Sequence, residues 1–381
     1  MPDDVTTDPA TRVVLAVPWY GGSHRTWADG WVRHSRHHIE LVTRSAAAWR
    51  RRMVFSGAGL GRDVAALVDR QGPPAALIVS SLCDVGAVRL AAGRALDDVP
   101  VIAYRHESQF GIADRHGAQD DLAVLSAEWR SLLAADEVWF NSDAHRELVA
   151  TSVPAWLRAH DEPAEAAEFE RHLDASRVVP VGVDLSRIGV DLRPTPPDDR
   201  PPLVLFNQRW DRDKAPGRVI AALDAASRAG ADFRVALAGE VPPGAADVSD
   251  GALRRLGDRV VHHGHAEREA YLDLLHRADL VVSDADHEFF GIAPVEAIAA
   301  GARPLYPRRH NYPALVGDDP RYLHEGHDLV PRLLEALSEP RGVDTELATS
   351  VRRFDWRAVA PLMDDLVSGP AADRRPSAPR S

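Results

Sequence analysis

The chain has 381 residues, with 45 lysines and arginines against 57 aspartates and glutamates, for a formal net charge of −12. That length predicts two domains of ordinary size, each able to bury its own core, and the negative balance argues against a broad, non-specific nucleic-acid binder. Cys83 stands alone, which excludes a disulfide framework; the opening residues lack the regions of a signal peptide and no apolar run reaches the length of a membrane span, so a soluble cytoplasmic protein with no membrane attachment is expected.

Residues 1–11 are expected to be disordered. The short apolar runs Val13–Val17, Ala76–Val79, Val101–Tyr104, Glu137–Phe140 and Arg177–Pro180 then predict parallel strands of a first doubly wound domain over 12–192. The proline-rich stretch 193–202 predicts a stiff linker. A second domain over 203–350 takes its strands from Leu203–Phe206, Phe233–Ala238, Val260–His263, Leu280–Ser283 and Arg303–Tyr306, with helices between. Residues 351–367, with Phe354, Trp356, Val359, Leu362 and Leu366 near helical spacing, predict a last helix packing back on the first domain. Residues 368–381 have no core-forming pattern and are expected to be disordered.

Several segments after predicted strands carry chemistry. Gly21 and Gly22 follow the first strand and would let backbone amides approach a phosphate closely, although Gly-Gly is also a common simple turn. Between residues 24 and 52, Arg25, Arg33, Arg36, Arg44, Arg50, Arg51 and Arg52 face only Asp29 and Glu40, with Trp27, Trp31 and Trp49 nearby. Such a patch suits an RNA backbone, or equally a solvated basic face. In the second half, Arg209 and Lys214 in a polar loop after Leu203–Phe206 are two cations able to stabilise a pyrophosphate as it leaves. Lys214 is also the only lysine beside forty-four arginines, which suggests that a compact ammonium is needed there.

Further on, Glu288 and Glu296 flank Gly291. Pro294 fits the first turn of a helix, so the free amides of Gly291, Ile292 and Ala293 would point toward an anion. Glu288 would accept from sugar hydroxyls and Glu296 from ribose hydroxyls. Asp284-Ala285-Asp286 has the form of a divalent-metal motif, but Arg209 and Lys214 already supply positive charge, and no metal is expected. His262-His263-Gly264-His265 has metal-ligand residue types without a carboxylate or cysteine at a useful spacing. Hydrolase, ATPase and dehydrogenase signatures are absent.

The Arg209/Lys214 and Glu288/Glu296 pairs, in that order and about eighty residues apart, resemble the donor half of a family 4 retaining glycosyltransferase. With Tyr20–His24, Trp49–Met53, His106–Gln109, Asn207–Lys214 and His287–Gly291 added, the chain from residue 12 to about 365 is similar to the tRNA-queuosine alpha-mannosyltransferases. The resemblance implies the GT-B fold, an α/β architecture of two Rossmann-like doubly wound domains facing across a cleft. It implies hexose transfer with retention, from GDP-mannose, to the cyclopentenediol of queuosine in tRNA-Asp, with no cofactor beyond the nucleotide sugar.

In that frame His106, Glu288, Arg209 and Lys214 are the catalytic group. Gly21, Gly22, Arg209, Lys214, Gly291, Ile292, Ala293 and Glu296 bind the donor, and Arg25, Arg50, Arg51 and Arg52 bind tRNA. The chain departs from the family at Ser108, Gln208 and the Asn311-Tyr312-Pro313-Ala314 run, where asparagine, histidine and a serine-tyrosine-proline-glutamate run are common. Two alternatives stay open: a glycosyltransferase of a small metabolite or lipid headgroup, and a catalytically idle RNA- or nucleotide-binding protein on the same fold.

Overall fold

A computed structural model describes residues 11–110, 122–193, 200–241 and 250–369. Apart from Thr11, Ser368 and Gly369, the segments expected to be disordered lie outside these residues, as does most of the 193–202 linker. The chain forms two compact units, Met1–Gly182 with Trp356–Ser381, and Val183–Asp355.

Unit 1 runs β1 (Arg12–Tyr20), α1 (Gly22–His34), β2 (His38–Ser45), α2 (Trp49–Gln71), β3 (Ala76–Ser80), α3 (Val85–Ala92), β4 (Val101–Arg105), β5 (Glu137–Phe140) and β6 (Arg177–Val178). Its sheet has the order β2-β1-β3-β4-β5-β6, and every pairing is parallel. Strands β3, β4 and β5 are buried throughout. Helices on both faces of a parallel sheet demand unbroken apolar runs, and such runs make strands visible in the sequence. The unexpected strand is β2, an edge strand that pairs only with β1 and carries His38, Glu40, Thr43 and Arg44 among its apolar residues.

Unit 2 contains β7 (Leu203–Phe206), β8 (Arg234–Leu237), β9 (Val260–His263), β10 (Leu280–Val282), β11 (Arg303–Pro307) and the unexpected two-residue β12 (Leu323–His324). These also pair in parallel, in the order β9-β8-β7-β10-β11-β12. Each sheet reverses its strand order once, between β1 and β3 in unit 1 and between β7 and β10 in unit 2. Open α/β sheets bind ligands beyond the carboxyl ends of the strands at such a reversal.

The boundary falls at Gly182, ahead of the expected residue 192. Val183 donates its amide to the Phe354 carbonyl at 2.8 Å, and Arg352 donates to the carbonyls of Leu185 and Ile188 at 3.2 and 2.7 Å, which ties 183–192 to unit 2. The last helix begins at Trp356 rather than 351, because Val351–Phe354 form a 3-10 turn inside unit 2.

From Trp356 the chain belongs to unit 1 again. The indole fills space that glycine leaves open: a Cβ on Gly30 or Gly182 would stand 2.3 Å from its ring. Buried Asp364 then accepts from Trp31 Nε1 at 2.9 Å, Ser35 Oγ at 2.6 Å and the Arg36 amide at 2.8 Å. Among the described residues no helix is long and apolar enough to cross a membrane.

Candidate active site

At the strand-order reversal of unit 2, the loops after β7 and β10 meet. The first ends in the turn Arg212–Lys214, which delivers Lys214 Nζ to the His287 carbonyl at 2.6 Å, 3.3 Å from Glu288 Oε2 and 3.4 Å from Asp213 Oδ2. Burial opposes the ammonium charge, but the Glu288 and Asp213 carboxylates outweigh it. The group is held above the usual lysine range and is charged at neutral pH.

Gln208 Nε2 also donates to Glu288, at 3.1 Å, and to the Tyr312 hydroxyl at 2.9 Å, while Ser283 Oγ donates to Gln208 Oε1 at 2.6 Å. Glu288 is thus aimed by a lysine and by an amide that is itself fixed on both sides. Gly239, just past β8, comes so near that a Cβ there would lie 1.9 Å from the Gln208 carbonyl oxygen. Only glycine allows that approach.

Gly291, at φ +100°, turns the chain into the helix Ile292–Ala299, and Asn311 Nδ2 pins the turn through the Phe290 carbonyl at 2.6 Å. Val295 makes the first return bond to Gly291, at 2.9 Å. The amides of Ile292 and Ala293 come before it, and Pro294 has none. This helix start therefore presents unsatisfied donors and the positive end of the helix dipole.

One turn later, half-buried Glu296 accepts from the Tyr271 hydroxyl at 2.8 Å and from Arg268 Nη1 at 3.1 Å. Asn207 Nδ2 reaches both the Tyr271 hydroxyl, at 3.1 Å, and the Ala293 carbonyl, at 2.8 Å. Burial pushes the Glu296 carboxyl up, against the pull of Tyr271 and Arg268.

One expectation for this loop region changes. Arg209 does not join the cluster; its guanidinium is exposed and pairs with Asp211 at 3.0 Å on the same loop. The carboxylates of Asp284 and Asp286 are engaged by guanidinium groups: Arg218 lies 2.5 Å from Asp284 Oδ2 and 2.8 Å from Asp286 Oδ1, and Arg309 also pairs with Asp284. Of the histidine run, His262 Nε2 lies 3.1 Å from the Gly264 carbonyl and His263 packs edge-on against Trp210 at 5.0 Å.

Unit 1 builds a second cluster at the carboxyl ends of β1 and β4. Gly22 takes φ +47°, and a Cβ on Gly21 would lie 2.3 Å from the Ala46 Cβ, so the glycine pair brings the loop after β1 against the loop after β2. The first turns of α1 then present His24 and Trp27. His24 Nε2 lies 3.2 Å from Glu107 Oε2, and its ring centroid is 4.4 Å from that of His106. Trp27 stacks on Tyr104 at 4.3 Å and meets His106 edge-on at 4.7 Å.

The His106 backbone is held on both sides, by Ser81 Oγ accepting its N–H at 2.7 Å and by Asn141 Nδ2 donating to its carbonyl at 2.8 Å. Burial, with His24, Arg105 and His145 adding to it, holds the His106 imidazole well below the ordinary histidine range, so the ring is neutral. His106 Nε2, His24 Nδ1, Glu107 Oε1 and Trp27 Nε1 are all buried and find no partner among the described residues. Unsatisfied buried polar atoms gathered at one place are the mark of a site that meets a ligand or water.

The basic segment divides in two. Arg33 lies in the last turn of α1 and Arg36 just beyond it, where Arg36 pairs with Asp365 at 2.7 Å. At the carboxyl edge, Arg25 pairs with Asp29 at 3.3 Å, Arg44 with Asp63 at 2.6 Å, Arg52 donates to Ser45 and Arg50 lies over the Trp49 ring. His24 and Gln208 lie within the sequence motifs, which by themselves give them no role. Tyr271 and Arg218 had no sequence signal, since their partners lie in other loops.

Two doubly wound parallel sheets, with a half-buried lysine, a carboxylate aimed by it and a glycine-turned helix start at the second reversal, define a GT-B glycosyltransferase. The sucrose-phosphate synthase of Thermosynechococcus elongatus superposes with a TM-score of 0.69 at 19% identity, over 94% of this chain and 98% of its own. Residues 12–183 match the family model tRNA-queuosine alpha-mannosyltransferase N-terminal, and residues 190–339 match glycosyl transferases group 1. The chain belongs to the tRNA-queuosine alpha-mannosyltransferase family.

It is 27% identical over 347 residues to the tRNA-queuosine alpha-mannosyltransferase of Drosophila melanogaster, covering 87% of this chain and 88% of that one. It is also 28% identical over 197 residues to the GDP-mannose:cellobiosyl-diphosphopolyprenol alpha-mannosyltransferase of Xanthomonas oryzae, covering 48% of this chain and 50% of that one.

Proposed function

We propose that the protein transfers mannose from GDP-mannose, with retention of configuration, to the cyclopentenediol of queuosine in tRNA-Asp. The observation that carries this reading is the similarity to the fly enzyme, which extends over 87% of the chain and so takes in both units. The name of the Xanthomonas relative supports the choice of donor. In the reaction the C1–oxygen bond to the diphosphate breaks and a C1–oxygen bond to the acceptor forms, while the acceptor proton leaves with the diphosphate.

Lys214 and the amides at the start of the Ile292–Ala299 helix would neutralise the departing diphosphate. Glu288 would accept from sugar hydroxyls in the orientation that Lys214 and Gln208 impose. Glu296 would accept from ribose hydroxyls. His106, held neutral, would orient the sugar or the acceptor hydroxyl through Nε2. Arg209, being exposed, would contribute only after turning from Asp211.

The test is transfer with purified protein, GDP-mannose or another nucleotide hexose, and tRNA-Asp carrying either queuosine or guanosine at the wobble position. Mass spectrometry of the digested nucleosides should show a hexose added to queuosine with GDP-mannose only. Transfer that ignores queuosine, or a preference for another donor, would overturn the corresponding half of the proposal.

A further inference from the structure

Helix α2 leaves one aromatic ring in water. Phe55 is 75% exposed, while Met53, Leu60 and Val64 on the opposite face of the same helix are fully buried. At 3.6 residues per turn, Arg51, Phe55 and Gly59 follow one another along one face, and exposed Arg62 continues it. Gly59 gives a bare stretch of backbone one turn beyond the ring, and the Arg44 guanidinium stands 3.2 Å from where a Cβ of Gly59 would be. Arg44 is held there by Asp63 at 2.6 Å. Arg51 is exposed, and among the described residues no carboxylate lies within ion-pair reach of it.

A phenyl ring left in water forgoes the stabilisation that burial would bring, so its neighbours indicate what would cover it. Here those neighbours are guanidinium groups and a flat glycine turn. An apolar protein partner would have to desolvate these charges, whereas a nucleic-acid strand places its phosphates on them. Unpaired bases stack on exposed aromatic rings, and single-stranded segments are what proteins read in folded RNA.

We propose that this face of α2 docks a single-stranded segment of the acceptor RNA, with an unpaired base stacked on Phe55 and the adjoining phosphates on Arg51 and Arg62. The inference rests on the reading of tRNA as acceptor and adds the form of RNA that is gripped and the ring that grips it.

The test uses the full-length protein, queuosine-bearing tRNA-Asp and a fully paired RNA duplex as control. Phe55→Ala should weaken tRNA binding roughly ten- to a hundredfold, the size expected for one lost base stack, and leave the salt slope of affinity unchanged. Phe55→Trp should keep the affinity, and its added indole fluorescence should be quenched by tRNA and not by duplex. Arg51→Gln should lower the slope of log affinity against log salt by about one unit.

GDP-mannose binding should be the same in all three variants. If Phe55→Ala binds tRNA as the parent does while the parent glycosylates queuosine, the docking face is wrong and the acceptor reading stands. If the parent neither binds nor glycosylates tRNA, the acceptor reading falls and this inference with it.

Discussion

In the proposed reaction, Lys214 is the residue on which the donor chemistry turns. Its ammonium is charged because two carboxylates outweigh the cost of burial, and a fixed cation of this kind acts on charge that grows as the diphosphate departs. Lys214→Ala should therefore lower kcat by roughly two to three powers of ten, about 2–4 kcal/mol in the barrier. The melting temperature should change little. Steady-state kinetics beside a thermal melt checks both, and a variant with parental turnover would remove Lys214 from the mechanism.

His106 carries a pH dependence whose sign follows from its burial. The unfolded histidine titrates near 6.5 and the folded one well below that value, so below about pH 6.5 the unfolded state holds the extra proton. Stability from this group is complete above pH 6.5 and is lost as the pH falls toward the folded value. Chemical denaturation at pH 7.5 and 5.5 should show the parent losing ~1 kcal/mol more than His106→Gln between the two conditions. Equal losses would mean that the imidazole is not kept neutral.

Among the elements, the start of the Ile292–Ala299 helix is the most exacting. Gly291 sits at φ +100°, and a Cβ there would lie 3.1 Å from Leu315 Cδ1 and 3.2 Å from Pro294 Cγ. Gly291→Ala should cost about 1–2 kcal/mol of stability, since an L-residue is strained in that region. It should also weaken GDP binding, because the amides that follow would turn away from the phosphate. Calorimetric titration with GDP reads the second effect, and unchanged affinity would show that the helix start does not hold the diphosphate. At this scale too, Asp284 and Asp286 have the spacing of a metal motif that the sequence reading sets aside, and their carboxylates pair with Arg218 and Arg309 from elsewhere in the unit.

At the scale of the whole molecule, the chain leaves unit 1 at Gly182 and returns at Trp356. Asp364 fastens that return by accepting three hydrogen bonds from Trp31, Ser35 and Arg36. Asp364→Ala would leave the donors of Trp31 and Arg36 without this acceptor, and should destabilise unit 1 by about 3 kcal/mol. Asp364→Asn should recover part of the loss. Thermal melts of both variants check the order, and an alanine variant with the parental melting temperature would show that the last helix is held by Trp356 packing alone.

The sequence by itself determined what depends on neighbours in the chain. Buried runs such as Val101–Tyr104 and Leu203–Phe206 are continuous because both faces of a parallel sheet are covered. Gly291 followed by Pro294 marks a helix start, and the single lysine stands in a polar loop directly after a strand. Edge strand β2 stayed hidden because solvent on one side allows polar residues that blur the pattern. Only the tertiary structure decided which side chains meet. His24 reaches Glu107 across 83 positions, Gln208 reaches Glu288 across 80, and Tyr271 reaches Glu296 from a different helix. The first pair exists because the sheet brings the loops after β1 and β4 to one edge, and the second because β7 and β10 lie side by side. Strand order is set by the packing of whole sheets, and a local pattern of residues carries no record of it.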